Sequence, residues 1–329
     1  MDFLPTGSIP SFLETLAPFG EVHGPTMTDD GVSAFGRIAS PTGLRLDYQR
    51  TLLPPKKYLL PPVETVLTYS PGERYRHPPL TDENIVLFGL HPCDLKGIAY
   101  LDTVFTARGS DPRYRVRRQR LTLIGISCEP DENCFCGDVD AADPANFDLF
   151  LERTAAGFHI TSGSPRGEEI IAALAPLLVE RAPLPVSRRE CAFASVIMAA
   201  AGRGETFPDS HLWEDFAARC LSCGACSLCC PTCYCFDIRE YGGLDGATAE
   251  RLREWDNCLF TGHGEVAGGF NFRKNRRDRF HYRYQHKYLG FGPTRGAVAC
   301  VGCGRCREVC PVRIDLLELF KEEGDEQKP

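Results

Sequence analysis

The chain has 329 residues, of which 43% are hydrophobic, so it is long enough for two or three domains with packed cores. A formal net charge of −7 disfavours general nucleic-acid binding. Seventeen cysteines, odd in number and bunched along the chain, favour metal ligation over a disulfide framework. The sequence has neither a secretory signal nor an apolar run of bilayer length, so we expect a cytoplasmic protein with no membrane span.

Residues 1–205 are predicted to form an α/β domain. Two apolar runs, 85–90 and 121–126, are short and rich in β-branched residues, which is typical of buried central strands. The segment between them has helical periodicity over 94–105, so a strand–helix–strand unit is expected. Further strands are predicted over 32–38 and 44–46, and further helices over 167–180 and 188–202.

Residues 206–329 are predicted to form a second domain, which begins with a helix over 209–219. Two segments there repeat the spacing Cys-x2-Cys-x2-Cys-x3-Cys-Pro, separated by a long insertion over 236–299. Their cysteines are Cys220, Cys223, Cys226 and Cys230 in the first segment, and Cys300, Cys303, Cys306 and Cys310 in the second. The predicted fold class is α+β, with an N-terminal α/β domain and a C-terminal domain like a bacterial 2[4Fe–4S] ferredoxin.

The repeated spacing suits two cubane clusters with crossed ligands. Three thiolates at short intervals wind around one cluster, and the fourth, before proline, reaches the other cluster. A zinc ribbon needs only paired Cys-x2-Cys units, so the third and fourth cysteines favour iron–sulfur chemistry. Glycines beside the cysteines keep the loops slim. The first cluster is assigned to Cys220, Cys223, Cys226 and Cys310, and the second to Cys300, Cys303, Cys306 and Cys230.

Four more cysteines follow the two predicted central strands. Cys93 follows the first strand, and Cys128, Cys134 and Cys136 follow the second. Ligands of open α/β sheets gather at the carboxyl ends of strands, so these thiols are predicted to hold a third cluster, more readily [4Fe–4S] than [2Fe–2S]. The alternative is that they are small buried side chains of the core.

The remaining cysteines leave two interpretations open. Cys229, Cys233, Cys235 and Cys258 form a further ligand set or redox dithiol, or they pack beside a cluster. Cys191 stands alone and is expected to be structural.

A basic stretch over 273–288 alternates with aromatic residues. Such a pattern occurs on single-strand binding surfaces. Here we favour two other roles: offsetting the negative charge of the clusters and docking an acidic partner. The chain has no glycine-rich dinucleotide fingerprint and no Walker A sequence, so no flavin or nicotinamide pocket is identified.

Several motifs resemble one family. They are residues 53–58 (LPPKKY), 91–96 (HPCDLK), 134–136 (CFC), 230–236 (CPTCYCF), 255–258 (WDNC), 280–287 (FHYRYQHK) and 300–306 (CVGCGRC). Together they resemble the β subunit of cytoplasmic NiFe sulfhydrogenases and the A subunit of anaerobic sulfite reductase. Within that resemblance, Cys93, Cys128, Cys134 and Cys136 match family positions. Cys229 departs from the family, where an aliphatic residue is usual.

The resemblance implies an electron relay between a flavin subunit that binds NAD(P)H and a catalytic subunit. The leading hypothesis is therefore a non-catalytic iron–sulfur subunit of an oxidoreductase complex. The alternative is a self-sufficient reductase that uses the Cys229, Cys233, Cys235 and Cys258 group.

Overall fold

The computed structural model describes residues 1–73, 75–80, 82–106, 109–137, 139, 141, 143–182, 211–244, 246–291, 294, 297–315 and 317–318. The predicted helix over 188–202, which contains Cys191, lies outside the described residues. The chain forms two compact units. The first comprises Met1–Pro55, Thr81–Ala194 and Val301–Gly304, and the second comprises Lys56–Leu80, Ser195–Cys300 and Arg305–Pro329.

The described residues form both helices and strands, in keeping with the predicted α+β class. The strands are β1 (Asp2–Pro5), β2 (Glu21–Met27), β3 (Ser33–Arg37), β4 (Val63–Tyr69), β5 (Ile85–Leu90), β6 (Leu121–Ile126), β7 (Leu149–Thr154), β8 (Gly157–Ser162), β9 (Val179–Glu180), β10 (Phe236–Gly242) and β11 (Ala249–Trp255). The helices are α1 (Ile9–Thr15), α2 (Pro92–Thr106), α3 (Pro112–Gln119), α4 (Pro165–Leu174), α5 (Leu212–Arg219), α6 (Ala225–Leu228), α7 (Arg276–Leu289) and α8 (Arg305–Glu308).

The first unit is built on an eight-stranded sheet in the order β3-β2-β5-β6-β7-β8-β1-β9. Its centre, β2-β5-β6-β7, is parallel, and the flanking pairs are antiparallel. The predicted strands over 85–90 and 121–126 are confirmed as β5 and β6, and the helix between them is confirmed as α2. Their β-branched and aromatic side chains pack into one core that includes Val86, Phe88, Ile124 and Ile126.

Close packing fixes α2 on the sheet. Gly125 of β6 has no room for a side chain, because a Cβ there would lie 2.5 Å from the Phe150 ring and 2.7 Å from a methyl group of Leu95. Pro92 begins α2, where its missing N–H costs no intrahelical hydrogen bond. The residue after Pro92 is Cys93, so this packing holds that thiol at the carboxyl edge of the sheet.

One predicted strand is wrong, and one predicted helix is wrong in part. Residues 44–46 form no strand: Leu44 and Leu46 are apolar because they pack against the core. The predicted helix over 167–180 ends as α4 at Leu174. Pro176 cannot continue it, and Val179–Glu180 instead pairs with β1 as β9.

The second unit contains a three-stranded antiparallel sheet in the order β10-β11-β4 and the helix pair α5 and α7. The predicted helix after residue 209 is confirmed as α5, and it packs against α7 through aromatic rings. The Trp213 ring lies 4.9 Å from the Tyr284 ring, and Phe216 stacks on Tyr284 at 5.9 Å. No helix among the described residues is long and apolar enough to cross a membrane.

A buried ion pair joins two strands of that sheet, and its loss should destabilise the second unit. Arg253 of β11 donates to Glu64 of β4 at 2.5 Å, with both side chains less than a tenth exposed. Glu64→Gln removes the counter-charge of a buried guanidinium, which costs about 3 kcal/mol. We expect the apparent Tm of the anaerobic protein, followed by circular dichroism, to fall by roughly 6–12 °C.

Glu240→Gln is the matched control, because Glu240 of β10 pairs with Arg251 of β11 at the solvent-exposed surface of the same sheet. An exposed pair contributes about 0–1 kcal/mol, so this variant should change Tm little. Equal falls in the two variants would contradict the assignment of stability to the buried pair.

Candidate iron–sulfur centres

The first cysteine motif begins where α5 ends. Cys220 follows Arg219, and its N–H donates to the Phe216 carbonyl at 2.9 Å. The loop then turns through two left-handed residues, Ser222 at φ +52° and Gly224 at φ +80°. A Cβ at Gly224 would lie 2.5 Å from Nδ2 of Asn257, so the loop has no room for a side chain there.

Five cysteine thiols line one cavity in the second unit. Cys220, Cys223 and Cys226 of the first motif meet Cys306 and Cys310 of the second. The rest of the lining is mainly apolar; it includes Leu259, Phe280, Val312 and Ile314. The cavity thus brings together all four cysteines predicted to hold the first cluster.

The donor chemistry of this cavity fits a cluster. Soft thiolates favour Cu(I), zinc and iron–sulfur clusters, and backbone N–H donors stabilise the sulfur atoms of such clusters. The N–H of Ser222 donates to Sγ of Cys220 at 3.2 Å, and the N–H of Ile314 donates to Sγ of Cys310 at 3.4 Å. Among the described residues, no three Cys, His, Asp or Glu side chains converge as a single metal ion needs. A cubane instead binds each thiolate through a different iron atom, at wider spacing.

The structure brings together only some of the cysteines predicted to hold the second cluster. Cys230 and Cys300 both lie beside Lys287 of α7, whose Nζ donates to Sγ of Cys230 at 3.2 Å and to Oγ1 of Thr232 at 2.6 Å. Cys306 lines the cavity described above. Cys303 belongs to the first unit, so the complete set stays a prediction from the spacing.

Three buried cations surround the segment between Cys226 and Cys233. Arg283 donates to the Cys226 carbonyl at 3.1 Å and to Sγ of Cys233 at 3.5 Å. Lys56 donates to the Cys233 carbonyl at 2.8 Å and lies over the Trp255 ring. Arg283, Lys287 and Lys56 are 3%, 7% and 3% exposed.

Thiols are the counter-charges of these cations. Among the described residues, the acidic groups that most raise the pKa values of these three cations are cysteines. Burial opposes the charge of Lys287, yet Cys230 and Cys233 outweigh it and hold the Lys287 pKa above its usual value. For Lys56, burial prevails over those thiols and lowers the pKa. Buried cations facing thiols are what an anionic thiolate cluster requires.

The basic stretch over 273–288 therefore contains both buried and exposed cations. Arg279, Arg283 and Lys287 recur every fourth residue along α7, so they share one helix face, and that face is buried. Lys274 and Arg276 are exposed. The buried face matches the charge-offsetting role that the sequence favours.

The N-terminal thiols gather at the carboxyl edge of the parallel strands. β5 and β6 are adjacent and parallel, so Cys93 and Cys128 leave the sheet at the same edge. Burial raises the pKa of Cys128 to about 12, and the thiols of Cys136 and Cys134 add to that rise. Arg50 donates to Sγ of Cys134 at 3.4 Å. The structure thus brings Cys128, Cys134 and Cys136 together.

The four remaining described cysteines lie in the second unit. The thiol of Cys235 donates to Sγ of Cys258, which lowers the Cys258 pKa to about 6. Burial raises the pKa of Cys226, and the charge of Cys258 adds to that rise. Cys233 lies next to Cys230. Cys229 is buried. These contacts place the group beside predicted ligands of both ferredoxin-type clusters.

Comparison with known proteins agrees with this geometry. A family model described as a 4Fe-4S dicluster domain matches residues 219–314, which include both cysteine motifs. The chain is 36% identical over 335 residues to sulfhydrogenase 2 subunit beta of Pyrococcus furiosus, and the alignment covers 95% of each chain. The chain belongs to the sulfhydrogenase beta-subunit family. No solved structure matches it.

The resemblance inferred from the motifs is thereby confirmed. The chain is an iron–sulfur electron-transfer protein, and its C-terminal cysteine motifs form a 4Fe-4S dicluster domain. The extent of the insertion over 236–299 and the third cluster stay predictions.

Sequence reasoning missed three residues that support the cysteine loops. Lys56 lies in the LPPKKY motif, whose sequence indicates a family resemblance but no role for the lysine. Arg50 carried no motif signal. Asn257, in the WDNC motif, donates to the Gly224 carbonyl at 2.9 Å and accepts from the N–H of Leu259. The sequence shows both the LPPKKY and the WDNC motif, but the partners of their side chains depend on tertiary packing.

Removing the Lys287 charge should lower the reduction potential of one cluster. Reduction adds negative charge, and a buried cation nearby stabilises that charge. A unit charge about 6 Å away at an effective dielectric of about 20 contributes about 3 kcal/mol, or about 130 mV for a one-electron couple. We expect Lys287→Met to shift one midpoint potential downward by that order, as measured by EPR-monitored redox titration.

Lys274→Met is the control, because Lys274 is an exposed lysine near the start of the same helix. Screening by solvent should keep all potentials within about 20 mV of the parent. Unchanged potentials in Lys287→Met, with iron content intact, would contradict the charge-offsetting role.

Proposed function

We propose that this chain is a non-catalytic relay in a cytoplasmic oxidoreductase complex. It passes electrons between a flavin subunit that oxidises NAD(P)H and a catalytic subunit, which is a hydrogenase or a sulfur or sulfite reductase. The similar protein is named a beta subunit of a sulfhydrogenase, which supports an assembly with other subunits. No nucleic acid is among the proposed partners.

The observation that carries this proposal is the cavity in which cysteines of both motifs meet. Cys310 lies with Cys220, Cys223 and Cys226, as crossed ligation requires. A chain that closes a thiolate site from two distant segments is suited to holding a redox group rigidly. Rigid thiolate coordination keeps structural change on reduction small, which suits electron transfer without substrate turnover.

Three ligand sets follow from this function. Each [4Fe–4S] cluster supplies one-electron redox chemistry when bound. In the dicluster domain, proposed over residues 206–329, the first set is Cys220, Cys223, Cys226 and Cys310, and the second is Cys300, Cys303, Cys306 and Cys230. In the α/β domain, proposed over residues 1–205, the third set is Cys93, Cys128, Cys134 and Cys136.

The chain's own residues prepare these sites. Gly224 and Asn257 shape the first loop, and the mainly apolar lining of the cavity limits the access of water. Lys287 and Arg283 supply positive charge to thiolates that are themselves buried. Arg50 supplies positive charge to the thiol of Cys134.

Iron content tests the ligand sets. The anaerobically purified full chain should hold about twelve irons, by four per cubane. Cys223→Ser should lower this by about four irons, whereas Cys229→Ser, which alters a buried cysteine outside the three sets, should leave it unchanged. About eight irons in the parent would reject the third cluster, and equal iron in the two variants would reject the first set.

Turnover tests the relay itself. The isolated chain should accept and release electrons stoichiometrically with a chemical reductant and oxidant. Steady NAD(P)H oxidation or sulfur reduction by the chain alone would contradict the relay.

A second candidate function is favoured by one observation. Cys235 and Cys258 are hydrogen-bonded to each other. Cys258 also interacts electrostatically with the predicted ligand Cys226. A dithiol beside a cluster could make the chain a self-sufficient reductase with Cys229 and Cys233 in the same group. In the reducing direction, a disulfide between these residues would take one electron from each of two reduced clusters, together with two protons, and return as two thiols that reduce the substrate.

Replacement of that pair distinguishes the two functions. For a relay, Cys235→Ser combined with Cys258→Ser should keep about twelve irons and full electron exchange with the partner subunits. Loss of sulfur reduction by the isolated chain, with all iron retained, would instead establish the reductase. Differential alkylation of these two thiols before and after reduction measures whether they form a disulfide.

A further inference from the structure

Two cysteine-bearing loops touch within the first unit. The N–H of Phe135 donates to the Gly302 carbonyl at 2.8 Å. Sγ of Cys134 lies 4.0 Å from the Cys303 carbonyl oxygen. Residues 133–136, here called the N-terminal cysteine loop, therefore lie directly on residues 302–304, here called the second ferredoxin loop.

Glycines on both sides of Cys303 make this contact close. Gly302 has φ +60°, and a Cβ there would lie 2.5 Å from the Cys136 nitrogen. Gly304 has φ +74°, and its Cβ would lie 2.6 Å from the Asn133 carbonyl oxygen. These are backbone contacts, which cannot rotate away as a side chain can, so only glycine fits at either position.

The first ferredoxin loop has no equivalent contact at its matching glycine. Gly224 stands one residue after Cys223, as Gly304 stands one residue after Cys303. A Cβ at Gly224 would meet side chains, those of Asn257 and Phe260, within the second unit. The two repeats thus share their cysteine spacing but differ in what their glycines face.

Hydrogen bonds hold the N-terminal cysteine loop in the conformation that makes the contact. Oδ1 of Asp131 accepts from the N–H groups of Asn133 at 3.0 Å and Cys134 at 3.2 Å. Arg50 bridges the Asp131 carboxylate and Sγ of Cys134. The loop is therefore fixed at both Asp131 and Phe135, which limits variation in its distance from Cys303.

We propose that this contact makes the N-terminal cysteine set the electronic neighbour of the second ferredoxin-type set, not of the first. The inference rests on the proposed third cluster. Cys134 and Cys136 belong to that cluster, and Cys303 belongs to the second set. Two connections join the sets: the hydrogen bond between Phe135 N–H and Gly302 C=O, and the contact of Sγ of Cys134 with the Cys303 carbonyl oxygen. One electron leaves one set and enters the other, and no bond or proton changes place.

Removal of single clusters tests this order in the full chain. Cys223→Ser should leave about eight irons, and the reduced protein should keep the EPR splitting of two magnetically interacting clusters. Cys303→Ser should also leave about eight irons, but its two clusters should give separate, uncoupled signals. The reverse pattern would overturn the proposal, because it would place the N-terminal set beside the first set.

Glycine substitution tests the contact itself. Gly304→Ala should retain about twelve irons and slow electron exchange with the N-terminal set at least tenfold, as measured by rapid-freeze EPR after a reducing pulse. Gly7→Ala is the control, since a Cβ at Gly7 would meet nothing within 4 Å; exchange with the N-terminal set should be unchanged. Equal slowing in both variants would overturn the role of the contact.

Iron content separates this inference from the proposed function. About eight irons in the parent chain would remove the third cluster, and the inference with it. About twelve irons together with the reverse coupling pattern would reject the cluster order while the third cluster stands.

Discussion

Charge compensation around buried thiolates is the constraint on which the second unit depends. A thiolate removed from water is unfavourable unless a cation or N–H donor replaces its hydration. Lys287 and Arg283 donate to thiols from one face of α7, and Lys56 donates to the Cys233 carbonyl from a segment more than 150 residues away in sequence. The same cations would be costly to bury without thiolates beside them. The buried cations and the buried thiolates therefore require each other.

The sequence predicted the parts of the fold and site that have local signals. The strands over 85–90 and 121–126 are continuous apolar runs, and the ferredoxin motifs are fixed spacings within twelve residues. Leu44 and Leu46 misled the strand prediction because apolar side chains serve packing as well as pairing. Val179 pairs with Phe3 of β1, more than 170 residues earlier in the chain, and nothing in the helical pattern up to residue 180 indicates that partner.

The supporting residues could not be predicted because their roles arise from contacts distant in sequence. Lys56 is one of two adjacent lysines, and only its burial against the Cys233 carbonyl separates it from Lys57. Gly302 and Gly304 were expected to keep a loop slim for cluster sulfides. The space a side chain would need there is instead filled by the backbone of residues 133–136. Sequence identifies a glycine that matters, but not the atoms that exclude its side chain.

The duplicated motif is thus symmetric in its ligands and asymmetric in its surroundings. Around the first set the cavity lining is mainly apolar apart from Arg283, and Cys223 is exposed. In the second set, Cys230 accepts from a buried lysine. Apolar surroundings disfavour the added charge of reduction, whereas a cation favours it. Equal ligand chemistry in unequal electrostatic environments should therefore give the two clusters different potentials. A gradient of that kind gives a relay a direction without any difference in the clusters themselves.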